Sequence, residues 1–314
     1  MMERVSNWPD RILLASPRGF CAGVRRAIDV LRSVQEQNPN TPIFSYHEII
    51  HNTHIVSGFE RSGVTFVNSL GEVPDNTPLV FSAHGVSPAI MDQAQQRRLS
   101  VVDTTCPLVS KTHTEAQRYI SEGLTVLYIG HKGHDETVGT LGFAPDIKLI
   151  ETAEEAEKVE VPDPLKVALI TQTTLSFDDA EVIRDIVLKR FPATVTPKVT
   201  DICFATQNRQ DGVKEMVRRG AEAVVVCGSL TSSNSTRLKE VALAHDAESF
   251  FVDEASQLNP SDFRGFSCIG LTSGASAPED KFQEIEEFFR SRGSVIFEEV
   301  RVADESMISF APPK

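Results

Sequence analysis

The sequence predicts an α/β protein built as three small α/β domains with mostly parallel sheets. Short apolar runs alternate with segments of helical periodicity along the chain, and loops rich in Gly, Ser, Thr and His follow those runs. A cysteine also precedes a helix-like segment in three places, Arg18-Gly19-Phe20-Cys21-Ala22-Gly23-Val24, Asp103-Thr104-Thr105-Cys106-Pro107 and Asp201-Ile202-Cys203-Phe204-Ala205-Thr206. Short strands without polar alternation suit parallel sheets covered on both faces by helices. At 314 residues the chain exceeds the size at which one core usually keeps growing. The cysteine spacing places the domains at 12–105, 106–200 and 201–314, the last with a C-terminal tail.

Arg11 to Ser16 reads as a buried strand running into the Cys21 loop. From Val24, the apolar residues Ala27, Ile28, Leu31 and Val34 recur at helical spacing until Asn38-Pro39 stops them. Strand-like runs follow at 42–46, 64–67, 78–82 and 99–103, with helices through Ile55, Val56 and Phe59 and from Pro88. Past Cys106, Pro107 suits a first helical position, and Val109, His113, Ala116 and Ile120 mark one face ending at Gly123. Strands are expected at 124–129 and 165–170, with an acidic helix-like stretch at 151–160 and a linker, Val161-Pro162-Asp163-Pro164, between them. After Cys203 come a helix to Arg219, a strand at 223–227, a helix near 237–245, a strand at 266–271, a helix at 279–290, and a final strand and tail.

Composition excludes several classes. No apolar run approaches the roughly 18 residues needed to span a bilayer, and the start, Met1 to Asn7, lacks a signal-peptide core. The expectation is a soluble cytoplasmic protein with no membrane partner. Five cysteines, an odd number thinly spread, argue against a disulfide framework. A formal charge of −13 disfavours nucleic acid, whose binding needs a concentrated basic surface.

In open α/β sheets ligands bind beyond the C-terminal ends of the strands. The loops there are Ser82-Ala83-His84-Gly85, Gly130 to Glu136, Thr171-Gln172-Thr173-Thr174, Gly228 to Ser235, and Thr272 to Ser276. Singly, each supplies ordinary helix caps. Together they offer neutral N–H, O–H and imidazole donors suited to a phosphate or diphosphate. Neither the Walker loop nor the dinucleotide glycine fingerprint is present.

Cys227 and Cys268 lie inside apolar strands, where cysteine behaves as a small hydrophobe. Cys21, Cys106 and Cys203 precede helices, where the dipole favours thiolate. Three such thiolates suit an iron-sulfur cluster or a zinc ion. With three ligands for four irons, one iron is left open to act as a Lewis acid. His47-Glu48-Ile49-Ile50-His51 matches the zinc-hydrolase pattern H-E-x-x-H. A strand runs into it and Asn52 caps the next helix, so the two histidines are not expected to share a helical face.

The motifs Pro17 to Val24, His47 to Asn52, Ser82 to Val86, Thr105 to Val109, Thr171 to Leu175, Asp201 to Cys203, Ser232 to Ser235 and Gly274 to Pro278 occur in order. Together they resemble the 4-hydroxy-3-methylbut-2-enyl diphosphate reductases, which close the methylerythritol phosphate route to isoprenoids. The resemblance implies three α/β domains arranged as a trefoil around a 4Fe-4S cluster, one per chain, held by Cys21, Cys106 and Cys203. It implies that the open iron binds the substrate hydroxyl as an alkoxide. Two electrons and protons then remove that oxygen as water, giving isopentenyl and dimethylallyl diphosphate. It further implies Glu136 as proton donor, with Thr173 and His134 positioning the hydroxyl end and relaying protons. His51, His84, His134, Ser232, Ser233, Asn234 and Ser276 are implied as diphosphate ligands, and a reduced ferredoxin or flavodoxin as electron donor. Asp135 departs from the family, which more often has proline there, and this bears on the stiffness of the Glu136 loop. The rival classes are a zinc hydrolase and a non-catalytic iron-sulfur protein. The second has no use for five anion-friendly loops.

Overall fold

The computed structural model describes residues 8–313; Met1 to Asn7 and Lys314 lie outside them. In chain order the strands are β1 (Arg11–Ser16), β2 (Ile43–Tyr46), β3 (Val64–Val67), β4 (Pro78–Phe81), β5 (Ser100–Asp103), β6 (Thr125–Ile129), β7 (Lys148–Ile150), β8 (Val167–Thr171), β9 (Ala223–Cys227), β10 (Glu248–Val252), β11 (Cys268–Ser273) and β12 (Ile296–Arg301). The α-helices are α1 (Ala22–Gln37), α2 (Thr53–Arg61), α3 (Pro88–Gln96), α4 (Pro107–Ser121), α5 (Asp135–Leu141), α6 (Ala153–Lys158), α7 (Phe177–Arg190), α8 (Phe204–Arg218), α9 (Ser233–Ala244) and α10 (Glu279–Arg290). Among the described residues the strands form three sheets, ordered β10-β9-β11-β1-β12, β3-β2-β4-β5 and β7-β6-β8. Every pairing between named strands is parallel, as the unalternating apolar runs require.

By contact the chain divides into two compact units, Met1–Ala22 with His51–Ile55 and Phe204–Ile308, and Gly23–Ile50 with Val56–Cys203 and Ser309–Lys314. The first unit holds the five-stranded sheet. Here the expected grouping of 12–105 needs correcting at its start, because β1 does not join β2 to β5. It lies between β11 and β12, with Arg11 opposite both Cys268 and Ile296. The cause is visible in β1 itself. Ile12 and Leu14 enter one core with Trp8, Ile269, Phe282 and Phe289, while Leu13 and Ala15 enter the opposite core with Val213, Met216, Val224 and Leu238. A strand apolar on both faces needs an interior position, and parallel pairing allows its partners to be distant in sequence.

The second unit holds the other two sheets. The β3-β2-β4-β5 core gathers Phe44, Tyr46, Val67, Leu79 and Phe81. The β7-β6-β8 sheet buries Leu127, Ile129 and Leu169 on one face, and Val126, Tyr128 and Ile170 on the other. His113 on α4 is buried beneath Gly85, where φ is +78° and an added Cβ would fall 2.6 Å from His113 Cε1. No larger residue fits that turn without moving the imidazole.

Burial pushes His113 down to about 4, with the Asp103 carboxylate opposing, and its Nε2 has no hydrogen-bond partner. The folded chain therefore refuses a proton that the unfolded chain accepts near pH 6.5. His113 is expected to stabilise the fold fully above pH 6.5 and to lose that contribution as pH falls towards 4. The loss amounts to about 3 kcal/mol between the 6.5 and 4 limits. Urea unfolding at pH 7 and pH 5 tests this. His113→Leu should show a shallower fall than wild type, and equal slopes would refute the assignment.

Candidate active site

The three loop cysteines share one local design. Cys21 immediately precedes α1, Cys106 caps α4 with Pro107 at the first helical position, and Cys203 immediately precedes α8. Each is half-buried. In the first unit, Cys21 N–H donates to Ala275 O at 3.1 Å. In the second, Cys106 N–H donates to Ala83 O at 2.9 Å and Cys203 N–H to Thr173 O at 3.1 Å. Ala275, Ala83 and Thr173 all lie in loops that follow strands, so each cysteine is tied by its own main chain to a loop rich in donors. Cys227 and Cys268 differ, as expected. Both are buried in strands, where burial pushes the Cys227 thiol up to about 12 and raises Cys268 against the opposing Arg11 guanidinium. Cys21, Cys106 and Cys203 stand apart from those two: each is half-buried at a helix start, the setting whose chemistry suits a thiolate-bound metal group.

Glu136 is the focus of the second unit. It sits in the first turn of α5, and only 1% of it is exposed. Its Oε1 accepts from Thr173 N–H at 2.7 Å and its Oε2 from Thr173 Oγ1 at 2.8 Å. Gln172, fully buried, fixes the loops on both sides. Its Oε1 accepts from His131 N–H at 2.9 Å and Thr137 Oγ1 at 3.3 Å, and its Nε2 donates to Thr174 Oγ1 at 2.9 Å. Asp201 Oδ2 accepts from Thr171 N–H at 3.1 Å while its Oδ1 meets Lys111 Nζ at 2.7 Å. The Thr171 to Thr174 loop is thereby anchored to the Cys203 segment and to α4. Gln172 and Asp201 appear in the sequence only as members of motifs. Their signal is position: a polar residue beside a candidate catalytic one, at the end of an apolar strand.

His134 caps α5 through Nδ1, which accepts from Glu136 N–H at 3.2 Å. An accepting Nδ1 places the ring proton on Nε2, leaving a donor. The His84 ring meets the His134 ring edge-on at a centroid distance of 5.7 Å. Asp135 occupies the first helical position of α5, where an acidic side chain complements the helix dipole and where proline is also favoured. Its carboxylate lies 3.5 Å from His47 Nδ1 and 3.8 Å from His84 Nδ1. The departure from proline therefore keeps the helix start and adds charge beside two imidazoles.

The zinc-hydrolase motif fails on backbone geometry. His47 to His51 contains no helix, and His47 has φ of +61°. The paired histidines thus lack the shared helical face that metal binding in this motif requires. Asn52 caps α2 as expected, its Oδ1 accepting from Ile55 N–H at 3.1 Å.

In the first unit the hydroxyl residues collect at the start of α9. Ser232 is the cap, its Oγ accepting from Ser235 N–H at 3.3 Å. Ser276 Oγ lies 3.0 Å from His51 O and 3.2 Å from Ser232 Oγ. Asn234 Oδ1 accepts from Ala275 N–H at 2.8 Å, and Asn234 Nδ2 donates to Thr206 Oγ1 at 3.3 Å. Ser233 is half-buried at the first position of α9. Ser232, Asn234, Ser276 and the His51 main chain are thus brought together. In the second unit Glu136, Thr173, His134 and His84 are brought together beside the main-chain ties of Cys106 and Cys203.

Parallel sheets, helix-capping cysteines and hydroxyl loops define a class that sequence comparison names: the family model for the LytB protein matches residues 12–290, and the chain belongs to the LytB family. More particularly, it is 44% identical to the 4-hydroxy-3-methylbut-2-enyl diphosphate reductase of Acidothermus cellulolyticus, over 97% of this chain and 89% of that relative. It is 45% identical to the protein of the same name from Streptomyces avermitilis, over 100% of this chain and 93% of the other. Among solved structures, the E-1-hydroxy-2-methyl-but-2-enyl-4-diphosphate reductase of Plasmodium falciparum superposes with a TM-score of 0.93 at 31% identity, covering 97% of this chain and 96% of that one. No helix among the described residues is long and apolar enough to cross a membrane.

Proposed function

We propose that the chain reductively dehydroxylates (E)-4-hydroxy-3-methylbut-2-enyl diphosphate. Two electrons and two protons remove the allylic hydroxyl as water and leave isopentenyl and dimethylallyl diphosphate. The observation that carries this reading is the enclosed Glu136 carboxyl, bonded through both oxygens to Thr173, whose carbonyl holds the Cys203 main chain. Cys21, Cys106 and Cys203 hold the 4Fe-4S cluster. When bound, that cluster supplies electrons and a Lewis-acidic iron.

The protein's own part is binding and proton movement. Glu136 delivers a proton through the Thr173 hydroxyl, which lies 2.8 Å from Oε2 and donates to it here; to relay, the hydroxyl turns, accepts from the protonated Oε2 and donates towards the departing oxygen. Burial in a water-poor site keeps that proton from leaking to solvent. His134 presents Nε2–H to the substrate and orients Glu136 through the helix cap. His51, His84, His134, Ser232, Ser233, Asn234 and Ser276 bind the diphosphate with neutral donors, aided by the α9 start. Electrons come from a reduced ferredoxin or flavodoxin in the cytoplasm.

Anaerobically purified protein should be brown and bleach on reduction, and the reduced form should convert the allylic diphosphate into both isomers, read by mass spectrometry. A fully loaded, reduced protein that leaves the substrate intact would overturn the reading.

A further inference from the structure

Ser235 has no place in the scheme above, yet the surrounding backbone is shaped around it. The residue is fully buried on α9. A Cβ added to Gly228 would fall 2.3 Å from Ser235 Oγ, and one added to Gly274 would fall 1.9 Å from it. These glycines directly follow β9 and β11, so the two strand-end loops close on this single hydroxyl. Nothing larger than hydrogen fits at either position while Ser235 stays where it is.

Ser235 Oγ donates to Ser232 Oγ at 3.1 Å, and Ser235 N–H donates to the same oxygen at 3.3 Å. Ser276 Oγ lies 3.0 Å from the His51 carbonyl oxygen and 3.2 Å from Ser232 Oγ, a donor towards both with its single hydrogen. Ser232 Oγ is the acceptor at each of its contacts here.

An anion needs donors. Ser235 occupies Ser232 Oγ as an acceptor, which leaves the Ser232 hydrogen to face a ligand oxygen, and Ser276 reaches one by turning from His51 O or Ser232 Oγ. The bond from Ser235 to Ser232 is the one that need not break.

We propose that Ser235 is a positioning residue of the diphosphate site, fixing Ser232 Oγ as an acceptor so that the Ser232 hydrogen faces the ligand. The proposal rests on the diphosphate reading given above.

Calorimetric titration of the holoenzyme with inorganic diphosphate tests it, using wild type, Ser235→Ala, Ser232→Ala and the double variant. Ser235→Ala should weaken binding about tenfold, the scale of one hydrogen bond to a charged ligand or its anchor. Its far-UV circular dichroism should match wild type, because both neighbouring glycines accommodate a smaller side chain, with the unfolding midpoint lowered only by the loss of one buried hydrogen bond. In the Ser232→Ala background the same change should add nothing, since the acceptor that Ser235 holds is already gone. Unchanged affinity in Ser235→Ala, or an equal further loss on top of Ser232→Ala, overturns the positioning role alone. Wild-type affinity in Ser232→Ala removes the diphosphate reading and this proposal with it.

Discussion

Cys106→Ser is expected to yield a folded protein that holds no cluster. Serine is a better helix cap than cysteine, and Pro107 remains at the first helical position, so α4 should start where it does now. The tie from residue 106 to Ala83 O runs through the main chain and is untouched. What disappears is the sulfur. Iron and acid-labile sulfide measured after anaerobic reconstitution should fall to background, and turnover should vanish with them. Cys227→Ser provides the contrast. There a hydroxyl enters the apolar strand β9, costing about 1–3 kcal/mol of stability if it finds no partner, while iron content stays at the wild-type level. A Cys106→Ser protein with full iron and normal turnover would remove Cys106 from the ligand set.

Glu136→Gln should do the reverse, keeping the cluster and nearly stopping the reaction. The amide has the shape of the carboxyl, and its oxygen can still accept from Thr173 N–H, which now lies 2.7 Å from Oε1. Its NH2 group would face Thr173 Oγ1 and offer no acidic proton for the departing oxygen. Loss of a positioned general acid typically costs 10²–10⁴ in rate, so turnover should fall by about that range. Iron content and the visible spectrum should match wild type. A rate within about a factor of two of wild type would exclude Glu136 as the proton source.

Much of this was legible in the sequence, for identifiable reasons. β1, β9 and α10 stand where the apolar patterns place them, because each is bounded by sharp changes in residue type. The three cysteines announce themselves by position, each just ahead of helical periodicity, and the hydroxyl loops by their place after apolar strands. α5 was hidden, since a seven-residue helix interrupted by Gly139 leaves too few turns for periodicity, and its start reads as a glycine-and-histidine loop. β7, with three residues, is below the length at which a pattern exists. The position of β1 beside β11 and β12 was out of reach for another reason. Pairing between strands is set by tertiary packing, and local sequence carries no trace of which distant strand lies alongside. Ser235 looked like one more polar loop residue. Its role emerges only when the two glycines that receive it are seen to come from different strands.

The placement of β1 also bears on how the chain is made. It leaves the ribosome well before both its neighbours, β11 and β12. Until β11 and β12 are synthesised, its edges have no native partner, and the Cys21 loop that follows it lacks the Ala275 carbonyl that fixes its main chain. Such non-local closure slows folding and leaves an apolar strand open to wrong partners. Nascent chains stalled before β11 should therefore engage chaperones until that strand and β12 have emerged.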